Sequence, residues 1–392
     1  MQTMDKADDL ARFSLLGGPL HRLGCRIGLV RNETDTAPLG LVLGTVPWGV
    51  LVALALLEGL GHVLFSLEAI GAHVRLLVAI PLFFVCEAFV DPRFADFVRE
   101  IVRSGVVPTS ARPALASEIA RIARWRDARI PEACFLAAVM LLAASAPHEN
   151  FFAHLSGNTA GSTPGAVSET SWVSHWYWLG CMTLFRFLLL RWLWRLALWA
   201  FFLWRVSRLQ LRLIATHPDR AGGLGSLELV QTEFAPLVFA VSAVQSASLA
   251  QDIASGRIAF EAIYASVAFT LLVDAVLFVG PICVFSRKIW KCQVAGKNEL
   301  SVLAEGYVNA FQARWLAGAP PEEPLLGSSD IQSLADLSSC VDRVSDMRLI
   351  PASPTMLMTL AVAALLPLLP LVLFKYPLAN LLARFLGSLA GL

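Results

Sequence analysis

Seven long apolar runs constrain this chain more than any other feature. They are Leu39 to Leu57, Ala69 to Val90, Pro131 to Ala146, Trp172 to Trp204, Phe234 to Ala250, Ile258 to Phe285 and Thr355 to Phe374. A helix rises about 1.5 Å per residue, so about 20 largely apolar residues cross ~30 Å of hydrocarbon. Inside a bilayer, only helices or closed barrels satisfy every backbone amide and carbonyl. The runs have helical length, so the chain is predicted to be an all-α, polytopic helical membrane protein with seven spans. The runs at 131–146 and 234–250 are short and need a locally thinned bilayer or snorkelling flanks. The run at 172–204 would be roughly 50 Å long as a helix, so it tilts or continues past the bilayer. Leu378 to Leu392 is apolar apart from Asn380 and Arg384. It reads as a short eighth span or as a re-entrant or interfacial helix.

Composition excludes the other broad classes. Of the 392 residues, 56% are hydrophobic and 16% charged, against about 45–50% and about 25% in ordinary soluble domains. A soluble globular enzyme and a disordered chain are both ruled out. The net charge of +1 leaves no bulk basic field for nucleic acid.

That near-neutrality hides an asymmetry. With the seven spans removed, 24 Lys and Arg fall on the side that holds residues 1–38, 91–130, 205–233 and 286–354. Only three fall on the other, in 58–68, 147–171, 251–257 and 375–392. These segments total 176 and 61 residues, so cation density is about threefold higher on the first side, as the positive-inside tendency expects. The N-terminus is therefore expected in the cytoplasm of a multi-pass protein of the cell membrane. Residues 1–38 contain no continuous apolar core, so no cleavable signal peptide is expected; they read as a cytoplasmic segment or an interfacial helix. None of the seven cysteines lies in an outside loop and no CxxC occurs, so neither a disulfide framework nor a thiolate zinc site is expected.

A weak internal repeat suggests two membrane halves. Glu68-Ala69-Ile70 and Glu261-Ala262-Ile263 open the second and sixth spans, and Ile130-Pro131 and Ile350-Pro351 precede the third and seventh. The reading is a parallel duplication or chance matches in Ala- and Leu-rich sequence. Half A covers 39–216, with a cytoplasmic helical insert at 91–130. A Gly-rich hinge covers 217–233, and half B covers 234–392, with an insert at 286–354.

Ionisable residues inside spans cost several kcal/mol unless paired or wet, so they are functional pointers. Asp274 and Arg186 lie near the middle of the sixth and fourth spans and are expected at similar depth, where they can pair. Glu87, nearer the inner face, can meet Arg191 or Arg195. At 100° per residue, Ser242, Gln245, Ser246 and Asp252 share one face of the fifth span. These residues form an ion or solute pathway, or they clamp helices together. The Gly40–Gly44 GxxxG reads as a helix contact. Glu58 and His62, four apart, can pair at the interface. Seven of the 11 tryptophans fall in the fourth span; 172–178 and 199–204 read as aromatic belts at the two interfaces.

His217-Pro218-Asp219-Arg220-Ala221-Gly222-Gly223-Leu224-Gly225 is the most distinctive local motif. It lacks the Lys-Ser/Thr of a P-loop and follows a helix. Arg220 and the backbone at Gly222, Gly223 and Gly225 are candidates to hold an anion such as a lipid headgroup; the alternative is a rigid turn. No HExxH, GxSxG or kinase signature occurs, so no catalytic residue, metal or cofactor is expected. The functional expectation is a transporter or channel for an ion or small solute. The alternative is a membrane-embedded scaffold or sensor whose cytoplasmic helices bind a protein partner. Membrane lipids are the expected surroundings, and no nucleic acid is expected.

Overall fold

The computed structural model describes residues 13–30, 35–145, 171–317 and 329–375. Among these, seven helices are long and apolar enough to cross a membrane; with no strand among the regular elements, the chain is a helical, multi-pass membrane protein. In chain order the helices are α1 (Gly18–Ile27), α2 (Ala37–Leu57), α3 (Ile70–Arg103), α4 (Arg112–Asp127), α5 (Arg129–Ser145) and α6 (Trp172–Arg208). They continue with α7 (Ser226–Thr232), α8 (Ala235–Ala254), α9 (Ala262–Trp315), α10 (Ser329–Ser345) and α11 (Pro354–Lys375). The proposed eighth span at 378–392 lies outside the described residues, as does the loop at 146–170.

The apolar runs set where helices exist, while small residues and prolines set how they meet. In α2 the GxxxG faces α3: a Cβ on Gly40 would lie 2.6 Å from the Phe84 Cβ, and one on Gly44 would lie 2.3 Å from the Leu76 carbonyl oxygen. Only glycine permits that approach. Pro47 interrupts the α2 hydrogen-bond ladder, and its own carbonyl accepts from Trp176 Nε1 at 3.0 Å, tying α2 to α6.

Three spans contain π-helical stretches: Val74–Ala79 in α3, Trp176–Met182 in α6 and Ala275–Val279 in α9. Two of them run into Pro81 and Pro281, which have no amide to donate to the preceding turn. The widened turn is the local answer, and such turns cluster at functional sites. In α9 a tighter 3-10 stretch, Gly280–Phe285, follows. Beyond it the helix continues for a further 30 residues, about 45 Å, and pairs with α10 as a projecting hairpin.

The core belongs to α6. Trp199 is fully buried among Phe94, Phe97, Phe202 and Phe13, with ring centroids 4.5 Å, 5.8 Å, 5.8 Å and 6.4 Å away. The expected inner aromatic belt is corrected here: Trp199 is a core residue, while Trp204 is exposed at the end of the run. The partner that draws Trp199 inward is Phe13, from the N-terminal segment. Residues 13–17 form a largely buried strap against the bundle ahead of α1. Elsewhere on the spans, Leu57, Leu141, Phe269 and Val276 are exposed, as expected of side chains that lipid solvates.

Candidate functional site

Five ionisable side chains converge near the cation-rich ends of α3, α5 and α6. Glu87 and Asp91 lie one turn apart on α3, and Arg191 and Arg195 one turn apart on α6. That i, i+4 spacing puts each pair on a single helix face. Glu87 Oε1 accepts from Arg191 Nη1 at 2.5 Å and also from Arg195 Nη1. Arg191 Nε reaches Glu132 Oε1 of α5 at 3.4 Å. The Glu87 and Arg191 side chains are 1% and 4% exposed, so each depends on the other for its charge to be tolerated.

The strap closes this cluster. The Asp91 carboxylate accepts from Ser14 Oγ at 2.8 Å and from the amides of Leu15 and Leu16 at 2.8 and 3.0 Å. The strap's carbonyls face cations: Arg126 Nη1 donates to Ser14 O at 2.8 Å and Arg191 Nη2 to Gly17 O at 3.4 Å. Glu132 Oε2 accepts the Leu20 amide at 3.2 Å. An extended run that buries its backbone must satisfy it, and here the charged side chains do so.

Beneath the strap lies a cavity of about 10 Å³ lined by Leu16, Glu87, Asp91, Trp192, Arg195 and Phe234, among others. Three of its lining side chains hold a buried polar atom with no partner among the described residues: Glu87 Oε2, Arg195 Nη2 and Trp192 Nε1. Two donors and one acceptor around a space of that size suit one water molecule.

Farther into the membrane the polar groups are handled differently. Arg186 and Asp274 make no ion pair with each other or with any other described residue. Arg186 Nη1 and Asp274 Oδ2 are buried without a partner; the Arg186 guanidinium lies 5.7 Å from the centre of the Trp178 ring. Gln245 joins α8 to α9, donating to Ser266 O at 3.2 Å and accepting from Thr270 Oγ1. Ser242 Oγ is buried without a partner. Toward the other face, Arg75 donates to Tyr177 OH at 3.0 Å and to Ser248 Oγ at 2.9 Å, linking α3, α6 and α8. All three π-helical stretches hold or adjoin this set: Arg75 and Tyr177 sit inside two of them, and Asp274 immediately precedes the third.

In the Gly-rich turn, the anion at the amides is the loop's own. The Asp219 carboxylate accepts from Ala221 N and Gly225 N at 2.8 Å each and from Gly223 N at 3.0 Å, and His217 Nδ1 lies 2.8 Å from it. Arg220, Gly222 and Gly223 take left-handed backbone, with φ of 56°, 71° and 98°. A phosphate at those amides would have to displace Asp219. The Arg220 side chain is exposed, and its carbonyl accepts the Arg348 amide at 2.9 Å, so the turn carries the start of α11. Burial alone raises the Asp219 pKa, but the amides of Ala221, Gly225 and Gly223 and the His217 ring outweigh it and hold the carboxyl below its usual range.

Comparison with protein-family models, with curated proteins and with solved structures finds no match to this chain. The geometry alone therefore carries the functional reading.

Glu58 is not paired with His62. It accepts from Ser171 Oγ at 2.6 Å and the Trp172 amide at 2.8 Å, placing a carboxylate at the start of α6, where the helix dipole favours it. Two members of the strap-side cluster, Asp91 and Glu132, stand just outside or at the edge of the apolar runs and were not singled out from sequence. The signal available was the matched spacing of Glu87/Asp91 and Arg191/Arg195.

Proposed function

We propose that this protein moves an ion or small solute across the cell membrane, with its N-terminus in the cytoplasm. The observation that carries the reading is a pair of charged atoms, Arg186 Nη1 and Asp274 Oδ2, that are buried in two different apolar spans without a partner among the described residues. An unpaired ionisable group in such a span is costly, and those retained usually line a substrate or ion path. Their neighbourhood supports it: polar side chains on α8 and three widened helical turns, which reshape more readily than regular helix. In this reading Arg186, Asp274 and Gln245 act at the pathway. Glu87 and Arg191, with Arg195, Asp91 and the strap, close it on the cytoplasmic side.

Flux measured in liposomes containing the purified full chain, with dyes for protons, sodium and chloride, tests this. Asp274→Asn is expected to change flux while leaving thermal stability intact. If Asp274→Asn and Arg186→Gln both leave flux unchanged and lower stability, the charges are structural and the reading fails.

A second reading, a membrane scaffold or sensor, draws on the α9–α10 hairpin. Val302 and Leu316 on it are each 73% exposed, well away from the apolar spans. A stoichiometric protein partner that is lost on deletion of residues 299–350 would favour it.

A further inference from the structure

Where the chain leaves α6, residues 210–215 run without helix alongside the projecting part of α9, and the two enclose an open groove of about 530 Å³. That is the size of a small-ligand site. Its walls carry Arg212, Lys288 and Lys291, with Glu299 toward one end and apolar surface from Leu211 and Leu213. None of the three cations is in an ion pair among the described residues. Lys288 Nζ donates to Leu209 O, which holds its ammonium at the groove wall.

The backbone adds donors of its own. Arg212 N bonds Val106 O at 2.8 Å and Ile214 N bonds Gly222 O at 3.3 Å. Successive amides of an extended run point to opposite sides. The amides of Leu211 and Leu213, which alternate with these two, donate to no described residue. Close in sequence to the groove's lining residues, Trp204 and Trp290 are 39% and 53% exposed, and the guanidinium of Arg208 lies 5.1 Å from the centre of the Trp204 ring. Exposed tryptophans beside cations mark the headgroup level.

From these features we infer that the groove is a binding site for a phosphate-bearing anion. Arg212 offers a planar fork to the phosphate oxygens, Lys288 and Lys291 offer point charges, and the leucines receive the carbon skeleton. The phosphate comes from an anionic lipid of the adjoining leaflet or from a soluble phosphate compound. The site joins the chain leaving the Arg186 helix to the helix of Asp274, so its occupant bridges the two spans on which transport is proposed to depend. The binding itself does not rest on that proposal.

Native mass spectrometry of the full chain in detergent, titrated in one arm with phosphatidic acid and in the other with inorganic pyrophosphate, tests the site. One saturable adduct is expected. Arg212→Gln with Lys291→Gln should weaken it about 25-fold, about fivefold for each cation removed. Ala295→Trp should abolish it, because Ala295 lines the groove and is exposed, so the indole fills the space while every cation stays. Arg343→Gln, on α10, should leave it unchanged. A variant-sensitive adduct in the lipid arm identifies a lipid source, and one confined to the pyrophosphate arm a soluble source. Melting temperatures establish that each variant is folded. An adduct that survives Ala295→Trp, whatever the charge variant does, is diffuse surface attraction and overturns the site; so does the absence of any adduct in both arms.

Discussion

Glu87 and Asp274 are both carboxylates within apolar runs, and the fold treats them in opposite ways. Glu87 meets two guanidinium groups, one of which, that of Arg191, also reaches Glu132 and the strap. Asp274 makes no ion pair or hydrogen bond with any described residue, and its Oδ2 is buried. The difference follows from what surrounds each helix. At Glu87, α3 packs against α6 and receives the strap, so three helices bring charge to one place and the strap adds backbone partners. At Asp274, α9 is a peripheral helix whose neighbours Leu272 and Val276 are each 62% exposed. A mutually paired charge cluster rigidifies a fold, whereas an unpaired charge is free to bind something else.

The sharpest way to break the comparison is at its stronger end. Glu87→Ala leaves two buried guanidiniums without their shared carboxylate and is expected to cost about 3–5 kcal/mol, read as a lowered midpoint of thermal unfolding. Asp274→Asn is expected to shift stability by less than about 1 kcal/mol, since no partner is lost, while altering flux. Equal destabilisation by both would erase the distinction between the two regions.

Asp91→Ala should cost about 2–3 kcal/mol by removing the acceptor of two strap amides and one hydroxyl. It should also expose the strap: limited proteolysis near residues 13–18 should accelerate in this variant and not in Asp274→Asn.

The Gly-rich turn predicts a pH dependence. Because the folded Asp219 carboxyl lies below its usual range, its stabilisation is complete above the unfolded value of about 3.9. It is lost as pH falls through the lowered folded value. Asp219→Ala should cost about 2 kcal/mol near neutrality and flatten this acid limb in thermal scans. The smallest effect is expected from Thr270→Val, about 1 kcal/mol or less, because Gln245 retains its bond to Ser266 O; Gln245→Ala, which removes both bonds, should exceed it.

Much of the architecture could be read from periodicity and length. The seven spans followed from apolar runs because hydrocarbon tolerates no unpaired backbone, and the Gly40–Gly44 contact followed from glycine's lack of a Cβ. The candidate site was only half legible. Glu87, Arg191 and Arg195 stood out as ions in apolar sequence. Asp91 and Glu132 did not, because they sit at the margins of their runs, where charge is unremarkable. The amides of the HPDRAGGLG turn suggested an anion, but Asp219, two to six residues from the amides it fills, satisfies them more cheaply than any ligand.

The sequence by itself determined that this chain is a helical membrane protein, where its spans lie and which few ions it commits to them. Bilayer thickness and backbone hydrogen bonding allow no other outcome. Only the tertiary structure decided which of those ions are neutralised. Partnership depends on helix faces and on segments far apart in sequence: the strap at residues 13–17 meets Asp91 and Arg191, and no run of residues records that meeting. The same holds for the basic groove, whose cations come from two stretches about 80 residues apart and form a site only where α6 and α9 converge.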